Sequence, residues 1–333
     1  MPWSPENPFQ ALAMTGGGYR GLFTAKALAV IEAQTERPIG QSFDLISGTS
    51  IGGIIALAAA FDVSMAQVVA IFEAHGTDIF PLHRKPITTF GKFQDLLRFR
   101  SRPRYSDEAL RSVITKLIPE AATLADAKHA VIIPAVNVTE GRPQVFKTRH
   151  VAEWNRDWKL KAVDVALAMA AAPTFFPLAE IGNNLYADGG LFANAPDLMA
   201  LHEAEHFLKV APDAFRLLSI GTTTQKYSVS YGAGRNFGIQ DWMSEQRLLN
   251  VIISSQQQFV DQIIKHRLGD NYLRIDHVPS NEQAQDLGLD VASYAARKTL
   301  LGLAEKAVTD ILGTALVPFM SHTPQLQLVK EQP

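Results

Sequence analysis

The feature that most constrains this chain is a G-x-S-x-G pattern at residues 48–52, which stands between two apolar segments. Residues 43–47 have the length and composition of a short buried strand, and residues 54–60 those of a buried helix. A sharp turn from strand to helix strains its central residue, and glycines on either side let the two backbones pass closely. The glycines are Gly48 and Gly52. The pattern therefore predicts a nucleophile elbow centred on Ser50.

A glycine-rich loop near the N-terminus repeats the order of strand, turn and helix. It spans residues 15–21, between the apolar residues 11–14 and a helix predicted over residues 22–34. Successive glycines leave backbone N–H groups unshielded, so that several can point at one anion, either a phosphate or a developing oxyanion. The loop therefore predicts an anion site. Its consecutive glycines are Gly16, Gly17 and Gly18.

The same loop also matches the dinucleotide-binding pattern G-x-G-x-x-G, through Gly16, Gly18 and Gly21. Folds that bind dinucleotides place an acidic residue about 20 positions further on, at the end of the second strand, where it holds the ribose. The acid of the second predicted strand, Asp44, stands near its start instead. The missing acid disfavours a dinucleotide site.

A third cluster, Asp188-Gly189-Gly190, follows residues 184–187 and precedes another predicted helix near residues 193–196. Asp-Gly-Gly by itself is most often a turn. Here it adds an aspartate between small residues to an elbow serine and a set of exposed N–H groups. Together the three clusters supply the groups needed for nucleophilic catalysis by a serine.

In this order the three clusters resemble the motifs of the patatin-like phospholipase family, G-G-G-x-R/K-G, G-x-S-x-G and D-G-G/A. Residues 170–177 are also similar to the family's A-A-P-T-x-F-P stretch, and the resemblance covers about residues 10–225. It implies a three-layer α/β/α fold and a lipid acyl hydrolase without a cofactor or metal. The implied roles are nucleophile for Ser50, its base partner for Asp188, and oxyanion hole for the amides of Gly16, Gly17 and Gly18, supported by Arg20.

A serine and aspartate pair of this kind is chemically coherent without a histidine. A carboxyl group has an unperturbed pKa of about 3.9, but desolvation in a closed apolar site raises it toward useful basicity. Ser50 would attack an ester carbonyl, and water would later release the acyl group.

The order of apolar segments supports an α/β fold with a mainly parallel sheet, because strand signals alternate with helical runs. The predicted strands are residues 12–15, 43–47, 131–138, 144–148, 215–220 and 272–275. We expect residues 1–225 to form the catalytic core, with a basic, cap-like insertion at about residues 80–105. Residues 226–333 are expected to be a helical C-terminal extension packed on the same domain, including a long helix over residues 243–268.

The insertion carries seven Lys or Arg residues between positions 84 and 104, interleaved with apolar residues and offset by Asp95. A solvated amphipathic segment is one interpretation. A patch that docks on anionic lipid headgroups or binds a phosphate-bearing regulator is the other.

Composition narrows the location and the partners. The formal net charge of -2 gives no overall attraction to DNA or RNA polymers, and no cysteine is present for disulfides or thiol chemistry. The N-terminus lacks the pattern of a signal peptide, and no apolar run reaches 18 residues. We therefore expect a cytoplasmic protein that meets the inner face of the membrane from the surface.

Within the family, the compact length and the segment at residues 218–223 are similar to the bacterial phospholipase effectors of CBASS anti-phage systems. That resemblance implies a membrane phospholipid substrate and a cyclic di- or trinucleotide activator. The long C-terminal helices also suit contacts in a homo-oligomer.

Three alternatives remain open. Residues 202–206 match the zinc motif H-E-x-x-H, but no third ligand is identifiable. An α/β-hydrolase triad would pair Ser50 with a later aspartate and histidine, for which His277 is best placed. A catalytically silent module that binds lipid or nucleotide is the third.

Overall fold

The structure, a computed structural model, describes residues 3–81, 102–223 and 226–329. Its strands are β1 (Phe9–Met14), β2 (Leu45–Gly48), β3 (Ala130–Asn137), β4 (Arg142–Lys147), β5 (Ala179–Ile181), β6 (Asn184–Asp188), β7 (Phe215–Ile220) and β8 (Tyr272–Ile275). Its α-helices are α1 (Gly21–Thr35), α2 (Ile51–Ala60), α3 (Met65–Ile79), α4 (Asp107–Thr115), α5 (Ala162–Ala170), α6 (Gly190–Ala193), α7 (Asp197–His202), α8 (Ile239–Met243), α9 (Arg247–Leu268), α10 (Asn281–Asp286), α11 (Tyr294–Thr309) and α12 (Val317–Met320).

The described strands form one mixed sheet in the order β5-β6-β3-β2-β1-β7-β8, with β4 paired to β3. The strands β3, β2, β1, β7 and β8 are parallel to one another. The strands β4, β5 and β6 are antiparallel to their neighbours. The parallel part places the carboxyl ends of β1 and β2 side by side.

Two apolar cores lie on opposite faces of this sheet, because successive strand residues point in opposite directions. Leu12 and Met14 of β1 belong to the core that includes residues of α1, α2, α3 and α5. Phe9, Ala11 and Ala13 belong to the other core, which includes residues of α7 and α9. The predicted three-layer, mainly parallel α/β fold is confirmed.

Several element boundaries differ from those predicted. Strand β1 begins at Phe9, before the predicted start at residue 12. The strand can include the polar Gln10 because the side-chain amide of this residue donates to the Ser42 and Phe319 carbonyls. Strands β5 and β6 were not predicted, since β5 has only three residues, none of them buried, and β6 buries only its last three. The helix predicted from residue 243 begins at Arg247, after Gln246 adopts a left-handed φ of 58°.

Residues 226–329 contribute more than helices. Strand β8 extends the sheet beyond β7, and α11 packs on the core of α1.

The helix expected near residues 193–196 is instead the pair α6 and α7, separated at Pro196. Of the predicted basic segment, residues 82–101 lie outside the described residues, and Arg104 contacts Asp290 at 3.4 Å. Among the described helices, none combines the length and the apolar character needed to cross a bilayer.

A buried aspartate anchors the end of the described chain. Asp44 accepts hydrogen bonds from the Gln10 N–H, from His322 Nε2 at 2.7 Å, and from the N–H groups of Gln325 and Leu326. Burial by itself would raise the pKa of Asp44, but these hydrogen bonds outweigh it and hold the pKa below the usual 3.8. The carboxylate therefore stabilises the folded state above that pH, and its contribution is lost as the pH falls through the lowered pKa.

We expect Asp44→Asn to lower the free energy of unfolding by about 3 kcal/mol at pH 7, since it turns an amide donor toward groups that themselves donate. Denaturant titration against Asp286→Asn, an exposed aspartate of α10, provides the control. Equal stability of the two variants would show that Asp44 is not the anchor.

Candidate active site

Ser50 lies on the turn between β2 and α2, as the sequence pattern predicts. Its backbone has φ 53° and ψ -126°, a strained conformation for a residue with a side chain. A Cβ on Gly48 would overlap the Gly52 carbonyl oxygen, and one on Gly52 would overlap the Met14 carbonyl oxygen. The two glycines therefore let strand and helix approach closely enough to present the serine.

Asp188 reaches Ser50 because two strands end against each other along β3. Strand β2 is paired through Ser47 with Ile132, and β6 runs the opposite way and ends with Asp188 paired to Ala135. The carboxyl ends of β2 and β6 thus meet within a few residues on one edge of β3. This arrangement brings together two residues that are far apart in the sequence.

Ser50 and Asp188 both line one pocket, and the Ser50 side chain is close enough to the Asp188 carboxyl group to lower its pKa. Asp188 is 5% exposed, and its Oδ1 also accepts the Gly190 N–H at 2.6 Å. Burial raises the pKa of Asp188 to about 6, although the hydrogen bonds from Gly190 and Ser50 act in the opposite direction. The carboxylate is therefore a better base than an exposed aspartate, and it is held in one orientation.

Two of the three glycines predicted to form the oxyanion hole line this pocket. The Gly16 N–H donates to the Asn194 carbonyl at 3.0 Å and is engaged there. Gly17 and Gly18 line the pocket beside Ser50, and their N–H groups have no protein acceptor among the described residues. Gly18 has φ +57°, and a Cβ there would overlap the Leu289 carbonyl oxygen.

Arg20 orients the peptide between Gly17 and Gly18. Its Nε donates to the Gly17 carbonyl at 3.4 Å, and its guanidinium also approaches the Thr223 carbonyl at 3.5 Å. Because the C=O and N–H of one peptide point in opposite directions, a held Gly17 carbonyl turns the Gly18 N–H the other way. Burial lowers the pKa of Arg20 to about 10, opposed by the nearby Asp276 carboxylate, so the side chain remains charged at neutral pH.

An apolar pocket opens in front of Ser50 and Asp188. The stretch at residues 170–176, which followed the family pattern, forms part of its wall. Other wall residues come from α2, α3, α4 and the region after residue 225. The apolar residues of the wall are Ile51, Ile54, Ile79, Phe80, Leu110, Ala170, Ala172, Pro173, Phe175, Phe176, Leu191, Leu249, Ile253 and Leu289.

Several residues of the site were missed from the sequence. Asn194 and Thr222 both donate side-chain hydrogen bonds to the Gly16 carbonyl, at 3.3 and 3.2 Å. Leu289 accepts the Tyr19 N–H at 2.8 Å and so fixes the end of the glycine-rich loop. None of them belongs to a recognisable motif, although Asn194 follows Asp188 closely enough to have been suspected.

The histidines considered in the sequence have other surroundings. The described wall of the pocket contains no histidine. The backbone N–H of His277 donates to the side chain of its neighbour Asp276 at 2.9 Å. In the H-E-x-x-H segment, Glu203 is buried and pairs with Lys147 at 2.6 Å and with His150 at 3.1 Å. That carboxylate is committed to a structural ion pair and does not face the pocket of Ser50.

Comparison with known proteins assigns the class. A sequence model of the patatin-like phospholipase family matches residues 12–201, which contain the glycine-rich loop, the elbow and Asp188. The chain belongs to the patatin-like phospholipase family, which confirms the resemblance inferred from the motifs.

Its similarity to individual proteins extends beyond that region. It is 40% identical over 317 residues to a cGAMP-activated phospholipase of Pseudomonas aeruginosa, covering 94% of this chain and 92% of that protein. It is 34% identical over 337 residues to a cGAMP-activated phospholipase of Vibrio cholerae serotype O1, covering 93% and 94%. Among solved structures, human GIVD cytosolic phospholipase A2 is 11% identical with a TM-score of 0.42, covering 95% of this chain and 61% of that one.

Proposed function

We propose that this protein hydrolyses the acyl esters of membrane phospholipids with Ser50 as the nucleophile and Asp188 as its base. The observation that carries the proposal is that the elbow serine and a buried carboxylate of raised pKa stand together at the wall of one apolar pocket. The pocket offers apolar surface suited to an acyl chain.

The proposed reaction proceeds in two steps. The Ser50 oxygen attacks the ester carbonyl while its proton passes to Asp188, and the N–H groups of Gly17 and Gly18 stabilise the oxyanion. Asp188 then returns the proton to the departing alkoxide, which leaves as the lysolipid. Water then attacks the acyl-enzyme while its proton passes to Asp188, and Asp188 gives that proton to the Ser50 oxygen as the fatty acid is released. The engaged Gly16 N–H supports the loop and is not one of the proposed donors.

We expect kcat/KM to rise with pH along a limb centred near pH 6, because Asp188 accepts a proton only as the carboxylate and its pKa is raised to about 6. Below that pH the rate should fall about tenfold per unit. A soluble short-chain ester, assayed from pH 4 to 9 with protein stability followed in parallel, gives the profile. A limb centred near pH 4 would show that the base is an unperturbed carboxylate.

We further propose that the enzyme works at the cytoplasmic face of the membrane and is switched on by a cyclic di- or trinucleotide. Relatives named cGAMP-activated phospholipase align with 94% and 93% of this chain, which supports a shared mode of control. A constitutively active phospholipase would damage the membrane of its own cell. A resting state is therefore required, and a ligand releases it only by binding the active state more tightly.

The activator is tested with purified protein and a fluorogenic phospholipid, with and without a panel of cyclic di- and trinucleotides that includes cGAMP. A shift of the active population from 1:99 to 99:1 would raise the rate about 100-fold and needs about 10⁴-fold preferential binding. The Ser50→Ala variant is the blank. A high rate that no nucleotide alters would refute the regulation and leave the hydrolase proposal standing.

The remaining alternatives are separated by covalent labelling. A fluorophosphonate reagent should label Ser50 in the wild-type protein, and a silent lipid- or nucleotide-binding module would remain unlabelled. A Ser-Asp-His triad would require His277, so His277→Ala should lose the labelling only if that triad operates.

A further inference from the structure

One side chain of the long helix α9 is hydrogen-bonded to the segment that follows Asp188. Gln256 Oε1 accepts the Asn194 N–H at 3.0 Å, and its Nε2 donates to the carbonyls of Leu191 at 3.0 Å and Gly190 at 3.4 Å. The Gly190 N–H is the group that donates to Asp188. Gln256 therefore holds both ends of α6, the short helix that leads away from the proposed base.

Gln256 is also connected to the glycine-rich loop through a single intervening residue, Asn194. Asn194, whose N–H it accepts, binds Gly16 twice: its carbonyl accepts the Gly16 N–H at 3.0 Å, and its Nδ2 donates to the Gly16 carbonyl at 3.3 Å. Gly16 directly precedes the two proposed oxyanion donors. A displacement of Gln256 would therefore move Asp188 through Gly190. It would also move the proposed oxyanion donors through Asn194 and Gly16.

Helix α9 also forms part of the pocket wall, through Leu249 and Ile253. Among the described side-chain hydrogen bonds, those that join α9 to α6 and Asn194 are the three of Gln256. Gln258 stands two positions further along, and its described hydrogen bonds stay within the helix, to the Ser254 carbonyl at 3.1 Å and the Ser254 hydroxyl at 3.0 Å.

We propose that Gln256 is a positioning residue that couples the place of α9 to the geometry of the reaction centre. The proposal rests on the proposed function, since it assigns Gln256 a role in the reaction of Ser50 and Asp188. Small displacements matter here, because a misplacement of about 1 Å in a reactive arrangement costs about 10²-fold in rate. Helix α9 is far along the chain from all three motifs, so the coupling links the C-terminal region to the chemistry.

The test compares Gln256→Met with Gln258→Met in the full-length protein, because methionine is close to glutamine in shape and lacks its polar atoms. With a soluble p-nitrophenyl ester we expect Gln256→Met to lower kcat by about 10- to 100-fold with KM changed less than about twofold. The midpoint of thermal unfolding should stay within about 3 °C of wild type. Gln258→Met should match wild type in every measurement.

A double-mutant cycle with Asn194→Ala keeps the proposal testable if Gln256→Met also loses stability, because this variant removes the Nδ2 hydrogen bond to Gly16 and keeps the backbone N–H that Gln256 accepts. If both substitutions act on the position of Gly16, Gln256→Met should cost less in the Asn194→Ala background than in wild type. An unchanged kcat in Gln256→Met would overturn the inference, and fully additive effects in the cycle would overturn the connection through Asn194. If the wild-type protein neither hydrolysed the ester nor reacted with a fluorophosphonate, with or without the cyclic nucleotides, the proposed function itself would be overturned, and that outcome is thus distinguishable.

Discussion

Asp188→Asn is expected to reduce kcat/KM for a soluble ester by at least about 10⁴-fold, with the fold preserved. Asparagine is nearly isosteric with aspartate and its amide oxygen can still accept the Gly190 N–H, but it cannot take the proton of the Ser50 hydroxyl. Ser50→Ala should lose a similar amount. Because the two residues act as one unit, the double variant should be no worse than the poorer single variant.

The control for this prediction is His277→Ala, which removes the histidine that a triad would use. Its activity should equal that of wild type, and circular dichroism should confirm that all variants are folded. Substantial hydrolysis by Asp188→Asn together with a severe loss in His277→Ala would exclude the Ser-Asp dyad and establish a triad in its place.

Gly18→Ala is expected to lower kcat by about 10²- to 10³-fold, the usual effect of losing one oxyanion donor. The added Cβ would overlap the Leu289 carbonyl oxygen, so the loop would have to move and carry the Gly18 N–H away from the oxyanion. The left-handed backbone adds strain of about 1–2 kcal/mol.

Gly141→Ala separates these two effects. Gly141 has a similar φ of +66°, but nothing lies within 4 Å of a Cβ built there. Gly141→Ala should therefore lose only the stability that the left-handed backbone costs, about 1–2 kcal/mol, while keeping full activity. If Gly18→Ala lost activity only in proportion to its loss of stability, the glycine would be structural and the oxyanion role would be refuted.

The local parts of this protein could be predicted from its sequence. The elbow at Ser50 was predictable because the flanking glycines are required by steric contacts within one strand-turn-helix unit. The alternation of strand and helix signals similarly predicted the layers and the bounds of β7 and β8, whose residues are largely apolar. Strand β6 was missed because its burial does not follow its apolar residues, since Leu185 is exposed and Asp188 is buried.

The sequence by itself determined the family, the three motifs and the class of fold, since each depends on residues that are close together in the chain. Only the tertiary structure decided how they meet. The antiparallel direction of β6 sets its end against that of β2, and this places Asp188 and Ser50 at the wall of the same pocket. It also decided that Gly16 is held by Asn194 and that Gln256 of α9 supports both sides of the site. Such contacts depend on strand direction and helix packing, which local patterns of residues do not encode.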